Sequence, residues 1–219
     1  MLEPDVTLTD YALTIQCAVF GWVLLGRMRR GAGSTLSARF AALFFALAAA
    51  SAIGGTYHGF FSETKSLPAE AVWLATLLVI GAVSFCTWLI AGKIQFEAAG
   101  QRLVFWIATL QFLAYAVCVV FISRDFLIAS ASAALPMVIL LVGYVRAFVS
   151  TRDRRVAFGL LGILIAFFGA ALQQMQIGLH PEYFNHNSVY HVVQFVAFAF
   201  LFSSISGLER HLPSKPAAQ

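Results

Sequence analysis

Seven runs of about twenty apolar residues follow one another along this chain, and no other feature constrains its fold as tightly. An α-helix rises about 1.5 Å per residue, so about twenty apolar residues cross the roughly 30 Å hydrocarbon layer of a bilayer. The runs fall at about residues 8–25, 38–61, 69–90, 103–122, 126–148, 156–177 and 187–208. Of the 219 residues, 60% are hydrophobic and 11% are charged, whereas soluble domains carry about 25% charged residues. No stretch is left over for a soluble domain. In lipid each backbone polar group must find its partner within the protein, and runs of this length do so as helices. The expected fold class is therefore all-α, a single seven-helix transmembrane domain over residues 1–219. Such a chain is a multi-pass integral membrane protein in contact with membrane lipid, expected in a cell's inner membrane. Nothing in the sequence fixes its oligomeric state.

The charges sit between the runs and set an orientation. Arg27, Arg29 and Arg30 follow the first run, Lys93 and Arg102 flank the loop after the third, and Arg152, Arg154 and Arg155 follow the fifth. Arg210 and Lys215 lie after the seventh, in a short tail expected to be disordered, while the remaining loops hold only Lys65 and Arg124. By the positive-inside rule the N-terminus lies outside and the C-terminus inside. The formal net charge of +4 thus reads as topology, and no nucleic-acid partner is expected. A voltage sensor is excluded because no run carries a spaced arginine series. A retinal protein is excluded because none of Lys65, Lys93 and Lys215 falls in the seventh run, where a Schiff base would form. Cys17, Cys86 and Cys118 all lie inside apolar runs with no metal or redox spacing, so they read as packing residues. The N-terminus, Met-Leu-Glu-Pro-Asp, is acidic where a secretory signal is basic, so the first run reads as a retained span.

With that orientation the polar residues inside the runs collect at one end. The stretch from Phe184 to Gln194 holds His186, Asn187 and His191, and Asn187, His191 and Gln194 recur at spacings of four and three, on one helical face. Ser51, Gly54 and His58 do the same on the second run. Glu70 opens the third run just after Pro68, where an acid favours a helix N-terminus; it reads either as that dipole partner or as a catalytic acid. Gln173, Gln174, Gln176 and His180 close the sixth run and its loop. Polar groups are costly in hydrocarbon and often mark function there.

Three nitrogen ligands with one open water position make a catalytic zinc site, and zinc supplies hydroxide near neutral pH. The candidate ligands are His58, His191 and either His186 or His180, with Glu70 as general base. Ser51, Asn187 and Gln194 would support the ligands by hydrogen bonds. His186 and His191 are five apart, so joint binding of one ion requires His186 to precede the helix on the loop. The competing structural reading makes these histidines interfacial, within an aromatic belt with Tyr57, Tyr183 and Tyr190.

A histidine at the outer end of the second span, an acid twelve residues later, and a polar residue four before a histidine in the seventh resemble the superfamily of alkaline ceramidases and progestin/adiponectin receptors. The resemblance is architectural and covers the whole chain. It implies a zinc ion bound by a second-span histidine and two seventh-span histidines four apart, with a serine one turn before the first and an acid on the third span. On this chain His58 matches the first ligand, Glu70 approximates the acid, and Tyr190 with His191 matches the end of the seventh-span motif. Gly54 stands where the serine would be, and Asn187 where the first seventh-span histidine would be. The implied function is a zinc-dependent hydrolase of a lipid amide or ester. The alternatives are a non-enzymatic membrane sensor, or a haem protein with His58 and His191 as axial ligands.

Overall fold

The computed structural model describes residues 1–180 and 183–211; the expectation of a disordered tail falls on residues outside these. Seven helices follow in order: α1 (Pro4–Arg29), α2 (Thr35–Phe60), α3 (Leu67–Gln95), α4 (Ala98–Phe121), α5 (Phe126–Thr151), α6 (Arg154–Gln174) and α7 (His186–His211). Each is long and apolar enough to cross a membrane. The all-α, seven-helix membrane architecture read from the sequence is the architecture found.

Several helices begin before the apolar runs because capping residues, rather than the first apolar side chain, set their starts, while α6 ends at Gln174, short of the run read to about residue 177. Ser34 accepts from the backbone N–H groups of Leu36 and Ser37 to start α2. Ser66 caps α3, with Pro68 in its first turn, and Asp125 and Asp153 cap α5 and α6. Side-chain acceptors of this kind satisfy backbone donors that a helix start leaves open. α1 begins at Pro4, which places Asp5 on the same helix as Thr9 and Asp10. Pro136 lies inside α5, which continues through it.

α3 stands at the centre, against α2, α4 and α5, while α1 joins α2 to α7 and α6 pairs with α7. Small residues permit the tightest of these approaches. A Cβ added at Gly162 would stand 2.7 Å from the Ala197 carbonyl oxygen, so α6 meets the α7 backbone directly there. The core between the helices is filled by Leu13, Phe40, Phe44, Tyr144 and Ile205. Leu103, Trp106, Leu110 and Phe121 on α4 point outward and are exposed, as lipid-facing residues are. Since lipid is as apolar as these side chains, helix association here rests on close packing and a few interhelical hydrogen bonds.

Candidate functional site

At the arginine-poor end the N-terminal part of α1 lies along the last turns of α2. Leu2 and Glu3 donate backbone N–H groups to the Gly59 and His58 carbonyls, at 3.0 and 3.3 Å. The glycines of α2 make room: a Cβ at Gly55 would come within 2.9 Å of the Asp10 Cβ, and one at Gly59 within 3.1 Å of Thr7. This approach carries three acids of α1 and the segment before it to the histidine-bearing ends of α2 and α7.

Glu3 meets His58. Its Oε1 lies 3.2 Å from the histidine Nδ1, within ion-pair reach but out of line for a hydrogen bond, and Nδ1 is sealed from solvent. The His58 contact outweighs partial burial and holds the Glu3 carboxyl below its ordinary value. Asp5 ties α1 to the start of α7 by accepting from the Ser188 hydroxyl at 2.6 Å and the Asn185 N–H at 3.2 Å. Asn185 in turn accepts from the N–H groups of Asn187 and Ser188, so the α7 N-terminus is capped and clamped to α1 together.

Asp10 meets His191. The aspartate is only 5% exposed, and its one polar side-chain contact among the described residues is Oδ1 to His191 Nε2 at 3.4 Å. The other ring nitrogen, Nδ1, lies 3.1 Å from the Thr9 hydroxyl, whose own proton is directed to the Asp5 and Val6 carbonyls. With the Thr9 proton on either carbonyl, its hydroxyl oxygen accepts from the His191 Nδ1–H. The lone pair of Nε2 then faces a carboxylate oxygen. The 3.4 Å separation is longer than a normal hydrogen bond of about 2.7 to 3.2 Å, so a shared proton would draw the two side chains together, while a small cation with bonds of about 2 Å would fit between them.

The remaining residues singled out from the sequence are placed around this core. His186 is the first residue of α7 and not on the preceding loop, as joint ligation with His191 requires. His180 belongs to the loop, where its Nδ1 accepts from the Tyr183 N–H and its ring packs on Tyr183. Asn187 accepts from Gln173 at 3.4 Å, and Gln194 donates to the Tyr190 hydroxyl at 2.6 Å, one turn along the same helix. Ser51 lies nearly two turns before His58 in α2, half-buried. Glu70 pairs with Arg124 at 3.0 Å, its side chain 60% exposed, while Trp73 donates to the Arg124 carbonyl; together they tie α3 to the link before α5. Among the described residues no three histidine, cysteine, aspartate or glutamate side chains are gathered where they could hold one metal ion. His58, His191 and either His186 or His180 are thus not gathered around one point.

Asp10, Glu3 and Thr9 are the partners that sequence reasoning missed. The available signal was an acid inside an apolar run, which the cost of a charge in hydrocarbon makes informative.

The chain belongs to DUF6962, a family of unknown function that it matches over residues 6–210. No curated protein and no solved structure matches it.

Proposed function

We propose that this membrane protein is a non-enzymatic sensor whose responsive element is the Asp10–His191 pair, taking up one proton or one small cation between Nε2 and Oδ1. The observation that carries this reading is the buried Asp10–His191 pair, Nε2 and Oδ1 3.4 Å apart. A buried carboxylate lacking hydrogen bonds is costly as an isolated charge, so binding a positive species there supplies free energy that the empty pair lacks. The pair joins α1 to α7, and its occupancy would change how firmly those helices hold each other. A change of that kind is what a sensor transmits.

A second reading is favoured by Glu3. A metal-binding histidine is typically oriented by a carboxylate on its other ring nitrogen, and Glu3 stands in that position behind His58. On this reading the chain is a zinc-dependent hydrolase of a lipid amide or ester, akin to the alkaline ceramidases and progestin/adiponectin receptors, with Asp10 acting in place of the missing seventh-span histidine. His58, Asp10 and His191 are not gathered around one point here and would have to draw together to hold the ion, which would supply an activated water and polarise a carbonyl.

One set of measurements separates the readings. Metal content of gently purified protein, and thermal stability against pH, are recorded for wild type, Asp10→Asn and His191→Gln. The sensor reading expects no stoichiometric zinc and a pH dependence of stability that both substitutions flatten. Zinc near one per chain in wild type, lost in both variants, would replace it with the hydrolase reading. Neither metal nor altered pH dependence would remove both.

A further inference from the structure

At the opposite, arginine-rich end, α2 and α3 leave between them a groove of about 180 Å³ lined by Thr35, Ala38, Arg39, Ala42, Cys86 and Leu89. Its walls are apolar apart from Arg39 and Thr35. That guanidinium is half-buried and spends two of its donors, on the Leu89 carbonyl and the Gln101 side-chain oxygen. A guanidinium carries five N–H donors, so donors remain.

Arg39 is half-buried and faces the groove. Arg27 is paired with Glu209, and Arg210 with Asp153, but among the described residues no carboxylate pairs with Arg39. Half-buried charge without a counter-ion is costly inside a bundle and tends to recruit one. The depth of the groove narrows what that counter-ion can be. Arg39 is the fifth residue of α2, about 6 Å along the axis from the helix start. Leu89 lies six residues before the end of α3, about 9 Å in. In a bilayer these positions fall where headgroup and acyl chains meet, and basic pockets between spanning helices at that level accept anionic headgroups.

We infer that the α2–α3 groove is a binding site for an anionic phospholipid, its phosphate on the free donors of Arg39 and the start of one acyl chain along Ala38, Ala42, Cys86 and Leu89. It lies at the other end of the bundle from the Asp10–His191 pair and stands independently of the function proposed for that pair.

Native mass spectrometry of the purified full-length chain, titrated with phosphatidylglycerol or phosphatidylcholine, tests it. Wild type should retain one phosphatidylglycerol in preference to phosphatidylcholine, and Arg39→Gln should lower that preference about fivefold, the loss expected for one basic side chain near an anionic headgroup. Because Arg39 also bridges α3 and α4, two further variants keep the test decisive. Arg39→Lys, which keeps the charge, should retain most of the preference. Ala42→Leu, which fills the groove and leaves Arg39 in place, should weaken binding of the lipid. Equal retention of both lipids by wild type, an unchanged preference in Arg39→Gln and Ala42→Leu, or full competition by inorganic phosphate alone would each overturn the assignment.

Discussion

Asp10 on α1 and His191 on α7 come from opposite ends of the chain and meet with Oδ1 3.4 Å from Nε2, inside a bundle whose core is mainly apolar. If the two share one positive charge, their contributions to stability are coupled. His191→Ala leaves the aspartate buried with no polar side-chain partner and should cost about 3 kcal/mol. Asp10→Asn on the His191→Ala background should recover at least half of that loss, because it removes the stranded charge. Unfolding free energies of the two single variants and the double variant in detergent measure the coupling. Additive losses would mean that the two side chains are neighbours and not a functional pair.

Glu3 makes a separate, pH-dependent contribution. Its carboxyl is held below its ordinary value of 4.5 by the His58 contact, so the folded state prefers the ionised form. A depressed carboxyl stabilises the fold fully above the unfolded value and loses that contribution as the pH falls through the folded one. The melting-temperature difference between wild type and Glu3→Gln should therefore stay constant above about pH 5 and shrink below 4.5. A difference that grows on acidification would contradict the pairing.

The sequence made the helix count and the polar end legible, because both depend on composition along the chain. Hydropathy marks a span wherever apolar residues persist, and the spans were found in number and order. It did not mark their starts, since Ser34, Ser66 and Asp153 begin helices by capping chemistry that lies outside the apolar runs. His58 and His191 could be named because each is a polar residue on an apolar helix. Their partners could not be read in the same way. Asp10 finds His191 only because Gly55 lets α1 settle on α2 and because Asp5 pins α1 to the start of α7, two contacts between segments far apart in sequence. Glu70 was attractive for its spacing from His58, yet spacing along a chain does not fix side-chain direction, and its side chain turns to Arg124.

Close packing of α6 on α7 gives a stability prediction of known sign. A methyl group at Gly162 would press on the Ala197 carbonyl oxygen at 2.7 Å and on the Leu201 nitrogen at 3.0 Å, and backbone atoms cannot swing aside. Gly162→Ala should destabilise by about 1 to 3 kcal/mol. Gly26→Ala is the control: its nearest neighbour is the flexible end of Arg30 at 3.6 Å, and gaining alanine in a helix should leave stability unchanged or raise it by up to about 1 kcal/mol. Thermal unfolding of both variants, read by circular dichroism, should shift in opposite directions or leave Gly26→Ala unmoved.

Glu70→Gln distinguishes a tie between loops from a chemical role. The Glu70–Arg124 pair is largely exposed, and exposed pairs contribute less than about 1 kcal/mol. The substitution should change melting temperature little and leave metal content and the pH dependence of stability as in wild type. Were Glu70 a general base, lipid amide or ester hydrolysis by the purified protein would fall by about a hundredfold or more.

Orientation follows from charge and can be tested by labelling. The arginine-rich loops, including Arg27, Arg29 and Arg30 after α1, are expected on the inner side, which puts the Asp10–His191 pair at the outer side. Probe positions must not carry structure of their own. Ser34 is unsuitable, since its hydroxyl caps α2 and contacts Glu209. Glu63, in the link between α2 and α3, and Ala32, between α1 and α2, are both exposed. In a background with Cys17, Cys86 and Cys118 replaced by alanine, Glu63→Cys should react with a membrane-impermeant maleimide on intact cells. Ala32→Cys should react only after the membrane is opened. The reverse pattern would move the candidate site to the inner side and with it the compartment from which a proton or cation reaches Asp10.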